Sequence, residues 1–153
     1  ALIAGTILGK NVVDAIEAND VSEKGLWQYN LDFIEEYGYK TAGLELFRRL
    51  VQTLTNEQIS YGMKHFLGNV DVEAISKGEH PDFSGLSKLG MIIRGAMNKT
   101  VANGLKYTSE QNQWLVKHYR NYPKDPDGFE EWNKSLLKTL EESFAKIASF
   151  AKN

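Results

Sequence analysis

Three histidines, three pairs of adjacent carboxylates, one glycine-bearing stretch and one Ser-x-x-Lys string are the places where this sequence could do chemistry. His65, His80 and His118 could ligate a metal, but none stands three or four residues from another, the spacing that sets two imidazoles on one helix face. Surface or capping positions are expected for all three, and no metal ligand is assigned. Glu35–Glu36, Glu130–Glu131 and Glu141–Glu142 would share a proton only if each pair converged. Helical neighbours point about 100° apart, so these acids read as solvated faces or first-turn charges. Gly5-Thr6-Ile7-Leu8-Gly9-Lys10 is neither a phosphate loop nor a dinucleotide turn, because no strand precedes it and the spacing differs. Ser135-Leu136-Leu137-Lys138 matches a nucleophile pattern but falls on an amphipathic helix. The absence of cysteine excludes disulfides, thiolate metal sites and cysteine nucleophiles. No catalytic residue is assigned.

Binding chemistry is more visible than bond-making chemistry. From Ala1 to Gly85 there are 7 Lys/Arg and 13 Asp/Glu, a net charge of −6. From Leu86 to Lys124 there are 7 Lys/Arg and the single acid Glu110, a net of +6. The last segment carries −2. A basic block between acidic ones either meets phosphates, on lipid headgroups or nucleic acid, or packs on the acidic helices and neutralises them. Lys99, Lys106, Lys117, Arg120 and Lys124 interleave with Tyr107, Trp114, Tyr119 and Tyr122. Those aromatics recur at helical spacing, which assigns them to a core rather than to base stacking. The segment Leu86 to Met97 joins apolar residues to Lys88 and Arg94, with Lys99 beyond. This suits an interfacial helix, a groove for a long apolar ligand, or a plain core helix.

The elements that must position these groups are all helical. The 153 residues suffice for one domain, and 42% apolar with 25% charged residues is a globular balance. Apolar residues from Leu2 to Ile16 follow a helical period, ending near Asn19–Asp20. Gly5 and Gly9 share a face there, which suggests close approach of another backbone or a ligand. Ser22 caps a long segment to Leu54, with Leu26, Tyr29, Phe33, Tyr37, Leu44, Phe47, Leu50 and Val51 as its apolar stripe and Gly38 as a bend. Thr55 and Gln58 form a second start signal. Helices follow over 70–77 and from about 86, with Asn98 to Asn103 as a kink, then from Ser109 to Tyr122. Pro123 to Pro126 breaks the chain, and a last helix runs from Gly128 to about Ala151, with Phe129, Trp132, Leu136, Leu137, Leu140, Phe144, Ile147 and Phe150 as its apolar positions. No strand pattern or internal repeat is present. The predicted class is all-α with six or seven helices. No run approaches 18 apolar residues, so no membrane span is expected. The start has no Met and no basic leader, and its apolar run begins at once, so the chain reads as a piece of a longer protein.

A set of short strings in order carries a family resemblance. They are Ala1-x-x-Ala4-Gly5, Val13, Ile16-Glu17, Asn19-Asp20-x-Ser22, Leu26-Trp27-x-Tyr29-Asn30 and Glu36-Tyr37-Gly38. Leu46-Phe47-Arg48-Arg49-Leu50, Tyr61-Gly62-Met63-Lys64, Lys77-Gly78, Asn121-Tyr122-Pro123-x-x-Pro126 and Trp132 continue them. In this order and spacing the sequence resembles archaeal geranylgeranyl reductases over nearly its whole length.

The resemblance implies the C-terminal helical part of a p-hydroxybenzoate-hydroxylase-like flavoprotein. Residues 1–20 would be a helix continuing from a missing FAD-binding domain, and 21–153 the C-terminal helical domain. It implies FAD-dependent saturation of carbon–carbon double bonds in prenyl chains of archaeal membrane lipids. FAD would be bound mainly upstream, since the dinucleotide-binding Gly-x-Gly-x-x-Gly and the second flavin motif are absent here, and no cofactor-binding residue is carried over. The fragment alone would be inactive. A prenyl chain needs a long apolar groove, because each buried methylene gains about 0.8 kcal/mol. Val70, Val72, Ile75, Phe83, Leu89, Met91 and Ile92 are the candidate wall, against the alternative that they only pack on neighbouring helices. The partners implied are a prenyl phospholipid and the protein's own FAD domain, with no nucleic acid, in the cytoplasm with peripheral contact at the membrane inner face. The competing reading is a self-standing helical module that binds a partner or an anionic membrane surface through its basic segment.

Overall fold

The structure, a computed structural model, describes residues 2–67 and 99–150. The chain runs through α1 (Leu2–Glu17), α2 (Glu23–Leu26), α3 (Gln28–Phe33) and a π-helical turn (Ile34–Gly38). It continues through α4 (Tyr39–Thr53), α5 (Asn56–Gly62) and a second π-helical turn (Met63–Leu67), then α6 (Lys99–Arg120), a 3-10 turn (Pro126–Gly128) and α7 (Phe129–Phe150). Among the described residues there is no strand, and the all-α class holds.

Local chemistry sets the boundaries. Asn19 adopts φ 53°, a left-handed conformation that asparagine tolerates better than most residues. Its N–H bonds the Ile16 carbonyl at 3.0 Å and the Asp20 N–H bonds that of Ala15 at 2.9 Å, closing the end of α1. The Ser22 hydroxyl then accepts from Gly25 N–H and starts α2. Thr55 and Gln58 form a complete capping box at α5. The long segment after Ser22 is interrupted as Gly38 suggests, by the π-helical turn that Gly38 closes.

The core is a three-helix layer of α4, α6 and α7. Leu46, Leu50, Val101, Leu105, Leu115, Leu136 and Ile147 make up its buried cluster. Leu50 faces Gly104 and Tyr39 lies under the Arg120 guanidinium, so α4 and α6 run antiparallel. Gln111 meets Ser143 and Tyr107 meets Phe150, so α7 returns antiparallel to α6. A β-carbon on Gly104 would stand 2.5 Å from Leu50 Cδ1, and glycine lets the two helices approach.

Two expectations are corrected here. The kink over Asn98 to Asn103 is absent from residue 99 onward, where α6 is continuous and already helical ten residues before Ser109. Val101, Gly104, Leu105 and Thr108 bury one face there, and that packing outweighs weak local propensity. Leu137 and Phe129, counted among the apolar positions of the last helix, are exposed, whereas Leu46, left out of the α4 stripe, is fully buried. In α1 the packed face is Asn11 and Ala15 rather than the apolar positions, for Leu2, Ile3, Val13 and Ile16 are exposed.

Candidate functional site

The residues expected to line a substrate wall, Val70, Val72, Ile75, Phe83, Leu89, Met91 and Ile92, lie outside the described residues. The described part contains an apolar pocket that sequence reading did not assign. Phe47, Leu50 and Val51 of α4, with Leu54 after it, form one side. Ile59 and Gly62 of α5 and Met63 of the following π-helical turn form the second, and Val101 and Leu105 of α6 the third. Its volume is about 220 Å³. Phe47, Leu50 and Tyr61-Gly62-Met63 were visible as family strings, but nothing in their spacing says that α6 would close a pocket over them.

A second concavity is an open cleft of about 580 Å³ between α1 and the α3 end. Leu2, Ile3 and Ile7 give it an apolar floor, and Lys10, Asp32, Glu35 and Glu36 edge it. Asn11 anchors the two helices, donating to Asp32 Oδ2 at 2.9 Å and to the Ile7 carbonyl at 3.0 Å. The Asn11 and Gln28 hydrogen bonds hold the Asp32 carboxyl below its ordinary range. The side of α1 turned away from Asn11 and Ala15 carries Gly5, Gly9, Val13 and Ile16 in line. A β-carbon on Gly5 or Gly9 would meet no atom within 4 Å, so the expected close neighbour is not among the described residues.

An aromatic clasp fixes α1–α3 to the bundle end. Trp27 donates its indole N–H to the Pro123 carbonyl at 2.8 Å and stacks on Tyr122. His118 lies between Trp114 and Trp132, with ring centroids at 4.5 and 4.7 Å. Its Nε2 is 3.1 Å from the Trp132 carbonyl, and the Trp132 indole returns a 3.0 Å bond to the His118 carbonyl. His118 is therefore a half-buried structural residue, not the surface or capping group expected. Burial pushes its pKa below the ordinary value, and the bond to the Trp132 carbonyl opposes this. Trp114, Tyr119 and Tyr107 pack against the core as their spacing predicted. The paired glutamates are exposed at all three places.

The described residues assemble no metal cluster, since no group of three His, Asp or Glu converges. They also do not fit a flavin. Gly9 lies two turns inside α1 rather than at a strand-to-helix turn whose free N–H groups could hold a pyrophosphate. No described helix is long and apolar enough to cross a membrane.

No family model matches the chain. It is similar to the digeranylgeranylglycerophospholipid reductase of Sulfolobus acidocaldarius, at 33% identity over 144 residues that make up 93% of the chain. The chain spans 32% of that relative's length. The resemblance read from the short strings stands on this kinship.

Proposed function

With a named lipid reductase as its relative, we propose that this chain is the C-terminal helical part of a FAD-dependent enzyme that saturates carbon–carbon double bonds of geranylgeranyl chains in archaeal membrane lipids. The observation that carries the reading is the similarity over 93% of the chain to the Sulfolobus reductase. FAD is held by an upstream domain of the same polypeptide, which supplies the hydride. The exposed Gly5–Gly9 face of α1 is the seat of that domain, since residues without side chains admit a second backbone closely. Residues 1–20 join the two parts, and 21–153 form the helical domain. Val70, Val72, Ile75, Phe83, Leu89, Met91 and Ile92 line the prenyl wall. The protein works in the cytoplasm, against the inner face of the membrane that holds its lipid substrate.

The test is reduction of a geranylgeranyl-bearing phospholipid by the longer polypeptide with reduced flavin. Mass spectrometry should show two hydrogens gained for each bond saturated. No gain, or a polypeptide that carries no flavin, refutes the reading.

One observation favours a second reading. Lys99, Lys106, Lys117 and Arg120 are all exposed along α6, with Glu110 the acid in their midst. A self-standing module would use this line to bind anionic lipid. Sedimentation with anionic vesicles should then be strong and should fall steeply with salt. Equal binding to neutral vesicles excludes it.

A further inference from the structure

The pocket between α4, α5 and α6 has the size of a chain end. Its volume of about 220 Å³ exceeds the roughly 150 Å³ apolar cavity that accepts benzene. It falls short of the roughly 300–1,000 Å³ clefts that enclose a drug-sized ligand. By proportion to benzene it holds about nine carbons, close to two isoprene units. Apolar side chains and one glycine form the lining, so a polar headgroup would be buried there without a side-chain partner.

Two local features keep this space available. A β-carbon on Gly62 would stand 3.5 Å from Val101 Cγ1, an ordinary contact. Helix packing therefore does not demand glycine at 62, and its missing side chain leaves the pocket open. Met63 lines the pocket yet is 56% exposed, which places a flexible thioether at the rim. The turn that Met63 opens is π-helical, a geometry that occurs often at functional sites.

We propose that this pocket is a binding subsite for the apolar end of an isoprenoid chain, with the polar end left outside. The inference rests on the reductase reading for the kind of chain, and names the place that receives its tip. Specificity follows from volume: a short branched end enters, and a bulkier group does not.

The probe is geraniol, a branched ten-carbon alcohol, titrated calorimetrically into the 153-residue chain. It should bind saturably at one site with a negative heat-capacity change. Gly62→Leu, which fills the space with a better helix former, should lower the affinity at least tenfold while the thermal midpoint holds or rises. Met63→Trp, at an exposed rim position, should weaken binding as well and serves if the first variant does not fold. Absence of geraniol binding, or unchanged affinity in the folded variants, overturns the subsite. Geraniol binding needs no cofactor, so it separates the two readings. Saturable binding in a protein that reduces no lipid refutes the reductase and leaves the subsite standing. Lipid reduction with unaltered geraniol affinity in Gly62→Leu refutes the subsite alone.

Discussion

Changing Gly5 and Gly9 together to alanine should have opposite effects in two settings. In the 153-residue chain each glycine lies inside α1, and a β-carbon there meets nothing within 4 Å. Glycine in a helix interior costs about 1 kcal/mol relative to alanine. The pair should therefore stabilise α1 by about 2 kcal/mol, somewhat less because Gly5 lies in the first turn. At 1.4 kcal/mol per factor of ten, amide exchange from Ile7 to Glu17 should slow by roughly 10- to 30-fold. In the longer polypeptide the two methyl groups stand where the upstream backbone is proposed to sit. Overpacking of that kind costs about 1–3 kcal/mol, so flavin retention and lipid reduction should fall. Hydrogen exchange read by mass spectrometry follows the first effect, and bound flavin absorbance the second. Unchanged or faster exchange in the short chain would mean that the face is already filled. Stabilisation in both settings would refute the docking of an upstream domain on α1.

The remaining predictions concern the bundle. Leu46→Ala removes a fully buried side chain from the α4–α6–α7 core and should cost about 3–4 kcal/mol, whereas Leu137→Ala, on an exposed position, should stay within about 0.5 kcal/mol; urea midpoints compare them, and equal losses would contradict the packing. Thr108 Oγ1 and Asn112 Oδ1 are buried with no hydrogen-bond partner, so Thr108→Val should leave stability unchanged or raise it by about 1 kcal/mol, and a loss of more than that would show a bond that the geometry lacks. His118 has a folded pKa below its ordinary 6.5, so the unfolded chain binds more protons between those two values. Its contribution is complete above pH 6.5 and is lost as pH falls through the folded value; a urea midpoint that stays level from pH 7.5 to 5 would refute this. Glu45 is held at about 2 by hydrogen bonds from Arg48 and Arg49. Its contribution is complete above pH 4.5 and is lost as pH falls towards 2. Glu45→Gln should flatten the acid side of the stability profile, and the exposure of these groups keeps the effect small.

What the sequence settled by itself is what neighbours along the chain can enforce. Ser22, Thr55 with Gln58, and Asn19–Asp20 act on backbone groups within a few residues, so these helix starts and stops were legible without the fold, whereas the extent of α6 was not. The all-α class followed from apolar periodicity and the absence of strand patterns, and the relationship to a lipid reductase from short strings in a fixed order.

Which face of each helix is used was decided only in three dimensions. Periodicity in α1 marks an apolar side but not its partner, and the bundle packs Asn11 and Ala15 instead. Leu46 and Leu137 are alike in the sequence, and the crossing of α4 and α7 with α6 buries the one and exposes the other. His118 looks solitary until α7 brings Trp132 over it from fourteen residues away. The pocket likewise joins residues of α4, α5 and α6 that no local rule connects. Hydrogen bonds at caps are local, whereas burial and cavities are sums over elements far apart in the chain, and only the folded arrangement evaluates them.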